Sequence, residues 1–99
     1  MHKATPAEAA AREAYEEAGV VGKTYPVCIG LYSYEKPLEE PAWRIVNVFP
    51  CKVKNTLKKF PEAGQRKRKW LSRKKAAARV DEPELAEIIR HFDPKRLRL

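Results

Sequence analysis

Three glutamates on one face of a predicted helix carry the most specific chemical signal in the sequence. Glu13, Glu16 and Glu17 stand at positions i, i+3 and i+4, which lie on the same side of an α-helix. Like charges at this spacing repel each other, and three carboxylates together offer the hard oxygen ligands that Mg²⁺ prefers. The spacing therefore predicts a divalent-cation site, with an ordinary solvent-exposed acidic face as the alternative.

The helix that must position these carboxylates has clear signals at both ends. Thr5 is a suitable N-cap, Pro6 fits the first helical position, and Glu8 completes a capping box. Gly19 is a natural C-terminal cap. A stripe of small side chains at helical spacing predicts the face that approaches a sheet: Ala7, Ala10, Ala11, Ala14 and Ala18.

The segment REAYEEAGV resembles the second half of the Nudix box. The matching residues are Arg12, Glu13, Glu16, Glu17, Gly19 and Val20. Ala14 stands where the family usually has a larger aliphatic residue, and Ala4 stands where the box has its first glutamate. The leading glycine of the box would precede Met1. We therefore expect that the chain begins inside the motif and lacks the front strands that precede it in the family.

Length and composition indicate one small globular domain. The chain has 99 residues, of which 43% are hydrophobic, and a chain of this size buries about two-thirds of its unfolded surface. It contains neither an apolar run of membrane-spanning length nor a signal-peptide pattern, which predicts a cytoplasmic protein without a membrane partner. Cys28 and Cys51 form no zinc pattern and lie in apolar, strand-like segments, which predicts two buried thiols rather than a disulfide.

The net charge of +8 is concentrated in the second half of the chain. Twelve Lys and Arg residues lie between Pro50 and Val80, where Glu62 is the single acid. Such a field attracts polyanions. The sequence argues against nucleic acid as a partner, because interleaved aromatics and known nucleic-acid-binding motifs are missing and the acidic helix would repel it. A phosphorylated small molecule fits better as a partner. For any single Lys or Arg residue of this segment, however, a purely solubilising role is equally open.

Two β-rich segments after the helix predict an antiparallel hairpin. Residues 25–34 and 42–54 are rich in β-branched and aromatic side chains, and residues 35–41 connect them. Gly30 indicates a bulge, and Pro50 indicates an interruption, because proline cannot donate to a β-ladder. The alternation in the second strand rests on four apolar residues: Trp43, Ile45, Val46 and Val48.

The remaining third of the chain predicts a loop, a short strand and two helices. Residues 55–65 are loop-like, and residues 66–71 alternate as a strand with Arg66, Arg68 and Trp70 on one face. Ser72 is a cap for a helix through about Ala78. A further helix begins near residues 81–83, and residues 93–99 form a basic tail predicted to fray. The buried stripe of the last helix is predicted to contain Leu85, Ile88, Ile89 and Phe92.

This order of elements is similar to the back part of the Nudix fold. The resemblance implies an α/β protein, namely a Nudix-type α/β/α sandwich around a mixed sheet, formed as a single domain by residues 1–99. Residues 60–76 (FPEAGQRKRKWLSRKKA) resemble the branch that contains diphosphoinositol- and diadenosine-polyphosphate phosphohydrolases. We therefore expect that branch of the family.

The resemblance implies Mg²⁺- or Mn²⁺-dependent hydrolysis of a phosphoanhydride in a nucleoside-diphosphate-linked or inositol pyrophosphate-type substrate. Glu16 and Glu17 would be the principal metal ligands, and Glu13 a further ligand or the base that orients water. Arg12 would pair with the carboxylates. Glu62 would complete the metal shell or act as a base, with a turn-capping role equally open. The implied phosphate contacts are Arg66, Lys52 and Arg68, of which Arg68 has structural pairing as its alternative.

Two functional hypotheses follow: a Nudix pyrophosphohydrolase, or a truncated and catalytically weak Nudix fragment that acts through self-association. Missing front strands would leave the hairpin with unpaired edges and an uncovered apolar face, which favours pairing with a second copy. We therefore expect a homodimer that uses the hairpin and the alanine stripe of the first helix.

Overall fold

The computed structural model describes residues 4–36 and 42–97. These residues form two compact units, one of residues 4–28 and 49–69 and one of residues 29–36, 42–48 and 70–97. The predicted α/β class is confirmed. Both sheets are antiparallel pairs of strands, whereas the resemblance implies one mixed sheet. The elements are α1 (Pro6–Ala18), β1 (Val20–Thr24), β2 (Gly30–Lys36), β3 (Ala42–Val48), β4 (Cys51–Thr56), α2 (Arg73–Arg79), α3 (Pro83–His91) and a 3-10 helix (Pro94–Leu97).

Helix α1 begins and ends where the sequence predicts. The Thr5 hydroxyl accepts a hydrogen bond from the Glu8 backbone N–H at 3.2 Å, and the Thr5 N–H donates to the Glu8 carboxylate at 3.3 Å. This reciprocal pair satisfies two backbone donors of the first turn. At the other end, Gly19 adopts the left-handed conformation with φ of 64°, which places its N–H on the last turn of the helix.

The alanine stripe of α1 faces β1 inside the first unit. Ala7 is buried, and Ala11 and Ala14 line a cavity of about 260 Å³ whose other walls include Val20 and Cys51. Small side chains allow the helix to lie close to the strand. The prediction that this stripe approaches a sheet is confirmed.

Strand β1 is not predicted by the sequence pattern, because Gly22 and Lys23 dilute the β-branched signal of the two preceding valines. It pairs antiparallel with β4, from Val20 opposite Thr56 to Thr24 opposite Cys51, and its register shifts between Val21 and Gly22. A side chain at Gly22 would collide with the backbone of β4. The irregularity therefore lies here and not at the predicted position, Gly30, which pairs regularly with Val48.

The predicted hairpin exists with different boundaries. Strands β2 and β3 pair continuously from Gly30 opposite Val48 to Lys36 opposite Ala42. Residues 25–29 belong to no strand, and the predicted strand 42–54 is divided by Phe49 and Pro50 into β3 and β4, whose partners differ. Pro50 thus interrupts the strand as predicted. The predicted loop begins later than expected because β2 continues through Lys36, and residues 37–41 lie outside the described residues.

Helices α2 and α3 form as predicted, and α3 packs against β2. The Ser72 hydroxyl caps α2 by accepting a hydrogen bond from the Lys75 N–H at 3.3 Å. The Glu84 carboxylate accepts from both the N–H and the hydroxyl of Ser33, at 3.1 and 3.0 Å. All four residues of the predicted stripe on α3 are only partly buried: Leu85, Ile88, Ile89 and Phe92.

Two predictions about the periphery of the fold are wrong. The tail is ordered as far as Leu97, because residues 94–97 form a 3-10 helix. Just before this helix, the Arg73 guanidinium donates a hydrogen bond to the carbonyl oxygen of Phe92. Cys28 is exposed and Cys51 is half-buried, since the segment before β2 is irregular and β4 has few covering side chains. Neither cysteine forms a disulfide, as predicted.

The described residues bury little apolar surface completely. Among them, Ala7 and Ala77 are the buried aliphatic residues, with 6% and 3% of their surface exposed. Within the same part of the chain, each helix is too short or too polar to cross a membrane.

Candidate metal and phosphate site

The loop after β4 docks on the C-terminal end of α1, and this contact assembles the site. The Leu57 N–H donates to the Gly19 carbonyl at 2.8 Å, and the Glu62 N–H donates to the Glu16 carbonyl at 3.0 Å. The Arg68 guanidinium donates to the Ala18 carbonyl at 3.0 Å. Carbonyl groups at the end of a helix lack intrahelical partners. The loop supplies those partners and therefore holds its own charged side chains beside the acidic face of α1.

Phe60 supports this arrangement from within the loop. The Arg68 guanidinium lies 4.7 Å from the centre of the Phe60 ring, a cation–π distance. Gly19 also lies against this ring, where a β-carbon would come within 2.5 Å of it. The sequence analysis predicts no role for Phe60. A lone aromatic residue in a basic, polar loop is the signal that identifies it.

The predicted strand at residues 66–71 is wrong. These residues adopt no regular secondary structure. Four consecutive cations repel one another, and their stabilising contacts come from side chains: Arg66 pairs with carboxylates and Arg68 with the end of α1. Trp70 is 74% exposed.

Two arginines hold three of the predicted site carboxylates. The Arg12 Nε atom lies 2.9 Å from the Glu16 carboxylate, one helical turn away. The Arg66 guanidinium lies 3.5 Å from an oxygen of Glu17 on α1 and 3.5 Å from an oxygen of Glu62 on the loop. Glu17 and Glu62 therefore converge on a single cation. Glu13 is exposed and forms no ion pair or hydrogen bond among the described residues.

The donor chemistry of this site fits a hard divalent cation. Within residues 4–36 and 42–97, no three His, Cys, Asp or Glu side chains are grouped as a metal site, because Glu16 and Glu17 turn toward different arginines. Mg²⁺ commonly binds through one or two carboxylates, with water and substrate phosphate completing its octahedron. The oxygens of Glu17 and Glu62, which already share a cation, meet this requirement.

The structure places the implied phosphate contacts at two locations. Arg66 and Arg68 lie on the docked loop beside α1. Lys52 lies on β4 directly opposite Lys23 of β1 and is exposed. Lys52 precedes Thr56 by four residues in β4, and Thr56 pairs with Val20 just after the end of α1. The rise of a strand therefore places Lys52 roughly 13 Å from Thr56 along β4. Lys52 forms no ion pair with the site carboxylates among the described residues.

Comparison with known proteins identifies the family of this chain. Neither the curated proteins nor the solved structures yield a significant match. The family model of the NUDIX domain matches residues 1–92, which include the acidic face of α1, the docked loop and helices α2 and α3. With this match over nearly the whole chain, the protein belongs to the Nudix domain family.

Proposed function

We propose that this protein is a Mg²⁺-dependent Nudix hydrolase that cleaves a phosphoanhydride bond in a nucleoside-diphosphate-linked or inositol pyrophosphate-type substrate. Family membership supports a pyrophosphohydrolase-type function in general. The observation that carries the finer proposal is the convergence of Glu17 and Glu62 on one cation next to exposed basic side chains. The family match includes both compact units, which supports their assignment to a single Nudix domain.

Each site residue has a role in this proposal. Glu16 and Glu17 provide charged oxygen ligands, and Arg12 keeps Glu16 oriented through their 2.9 Å ion pair. Glu62 completes the metal shell from the loop, and Glu13 is the group available to accept a proton from the attacking water. A bound Mg²⁺ supplies charge neutralisation at the attacking and leaving oxygens. The substrate phosphates are bound by basic side chains, namely Arg66, Arg68 and Lys52.

A substrate panel tests this proposal. Diadenosine polyphosphates, sugar nucleotides, oxidised nucleotides and inositol pyrophosphates are incubated with the protein and Mg²⁺ or Mn²⁺, and the products are separated by ion-exchange chromatography. We expect metal-dependent cleavage of at least one phosphoanhydride class, with one ¹⁸O atom from labelled water in a product phosphate. Failure to cleave every class with either metal, by a protein shown to be folded, would contradict the proposal.

We also propose that the protein forms a homodimer through one face of the β2–β3 hairpin. Leu31, Trp43 and Ile45 share this face, and their exposed fractions are 54%, 68% and 74%. Exposed apolar clusters of this kind mark association surfaces. An antiparallel hairpin can meet a copy of itself around a two-fold axis, so a second copy of this chain is the proposed occupant. The alanine stripe of α1 faces β1, which leaves the hairpin as the proposed interface.

Substitution of Trp43 is expected to convert the dimer to a monomer. Trp43→Lys places a charge within the proposed apolar contact, where desolvation opposes association. Trp70→Lys is the matched control, because Trp70 is similarly exposed and lies outside the hairpin. Light scattering coupled to size exclusion measures both masses at low micromolar concentration. A monomeric wild-type protein, or equal loss of dimer in both variants, would contradict this interface.

A further inference from the structure

We propose that Arg66 is an internal counter-cation that occupies the space between Glu17 and Glu62 in the metal-free protein. Binding of a divalent cation displaces its guanidinium and makes it available to a substrate phosphate. This inference rests on the proposed function and adds a coupling between the metal site and the phosphate site. One side chain thus makes phosphate binding conditional on metal binding.

The geometry shows that one group bridges two carboxylates from different elements. The Nη2 atom of Arg66 contacts Glu17 of α1, and its Nε atom contacts Glu62 of the loop, each at 3.5 Å. A cation that binds both carboxylates must take the place of this guanidinium, because two positive charges cannot share the position. Arg66 and the metal are therefore competitors for the same oxygens.

Removal of Arg66 leaves the two carboxylates in place. The loop is anchored to α1 by the Glu62 N–H on the Glu16 carbonyl and by Arg68 on the Ala18 carbonyl, and neither contact involves Arg66. Turns within the loop add a hydrogen bond from the Gln65 N–H to the Glu62 carbonyl at 3.0 Å. The backbone of Glu62 is therefore held by hydrogen bonds that do not involve Arg66, which in the metal-free protein balances the charge of its carboxylate.

The contacts of Arg66 are weak enough to be exchanged. Charge-assisted hydrogen bonds of full strength have lengths of about 2.7–2.9 Å, and the Arg12–Glu16 pair reaches 2.9 Å. Both Arg66 contacts are longer, and its side chain is 55% exposed, so solvent screens them. A divalent ion carries twice the charge and binds carboxylate oxygen directly. After displacement, Arg66 retains five N–H donors in a planar fork that matches phosphate.

Competition of this kind has a defined thermodynamic consequence. Metal binding frees Arg66 and thereby raises phosphate affinity, and phosphate binding must raise metal affinity by the same factor. Without Arg66, metal affinity rises because no competitor remains, whereas phosphate affinity falls because a donor is lost. Opposite effects of one substitution on the two ligands distinguish this role from simple loss of a structural ion pair.

Calorimetric titration of Mn²⁺ into wild type, Arg66→Gln and Lys67→Gln tests the inference. Lys67 is the matched control, because it has the same charge, is exposed and makes no ion pair with these carboxylates among the described residues. Exposed ion pairs of this kind contribute little each, so we expect Arg66→Gln to bind Mn²⁺ roughly threefold to tenfold more tightly. Lys67→Gln is expected to stay within about twofold of wild type. Thermal unfolding verifies that each variant is folded.

Titration of inorganic pyrophosphate into the Mn²⁺-saturated proteins provides the second measurement. We expect wild type and Lys67→Gln to bind it, and Arg66→Gln to bind it more weakly. Equal Mn²⁺ affinity in wild type and Arg66→Gln, or an equal gain in Lys67→Gln, would overturn the inference and leave the proposed function intact. Absence of Mn²⁺ binding by the folded wild type would overturn both. If Arg66→Gln does not fold, Arg66→Lys replaces it, and the expected gain in Mn²⁺ affinity is smaller because an ammonium group bridges two carboxylates less well.

Discussion

Glu17→Gln is expected to lower the rate of hydrolysis by at least about 100-fold. The amide has nearly the same shape as the carboxylate, but it removes the negative charge from one of the two side chains that converge on the cation position. Glu16 and Glu62 then have to hold a divalent ion with one negative charge fewer, and the neighbouring Arg66 opposes its binding. Rates with the best substrate of the panel measure the effect, and calorimetric titration of Mn²⁺ into Glu16→Gln and Glu17→Gln measures its cause.

The control for this prediction is Glu87→Gln. Glu87 is an exposed helical glutamate that also pairs with arginine, Arg90, but it lies on α3 in the other unit. Its substitution removes the same charge from a comparable setting and should leave both the rate and the Mn²⁺ affinity unchanged. If wild type and the two α1 variants bound Mn²⁺ equally, the assignment of these carboxylates as metal ligands would be wrong.

Gly19→Ala is expected to lower the free energy of unfolding by about 2–3 kcal/mol. The residue has φ of 64°, a region in which an L side chain costs about 1–2 kcal/mol. The added β-carbon would also lie 2.5 Å from the ring of Phe60 and 3.0 Å from the Leu57 carbonyl oxygen. If the Phe60 ring moves to make room, Arg68 loses its cation–π contact with that ring. The substitution should therefore also weaken the contact between the loop and α1.

Urea unfolding followed by far-ultraviolet circular dichroism measures this loss. Gly64→Ala is the matched control, because no atom lies within 4 Å of a β-carbon built there and its backbone does not have positive φ. It should change the free energy of unfolding by no more than about 0.5 kcal/mol. Equal unfolding midpoints for the two variants would show that the loop does not depend on the left-handed turn after α1.

Features specified by short-range interactions were predictable from the sequence. The N-cap, capping box and glycine C-cap of α1 depend on residues within one or two turns, and all three are present as predicted. The Ser72 cap follows from the same local rules, and α3 begins within the predicted residues 81–83, although its N-cap residue Glu82 makes no side-chain capping hydrogen bond. The acidic face of α1 was also predictable, because helical periodicity alone puts Glu13, Glu16 and Glu17 on one side.

Strand partners were less predictable, because they depend on residues far apart in sequence. Val20–Thr24 contains a glycine and a lysine and is a strand only because Cys51–Thr56 pairs with it. Residues 25–29 have strong β-propensity but no partner strand. β-propensity reports how well a residue fits a pleated, half-buried surface, and the partner that creates this surface is a tertiary feature.

The sequence by itself determined the family, the carboxylates of α1 and the helices that carry local caps. Only the tertiary structure decided that the loop after β4 docks on the end of α1 and that Arg66 bridges Glu17 and Glu62. It also decided that Lys52 lies further along β4, away from these carboxylates. It also decided that Trp43 and Ile45 are exposed. The physical reason is range: capping and periodicity act over a few residues, whereas these contacts join segments about fifty residues apart, whose approach depends on the packing of whole elements.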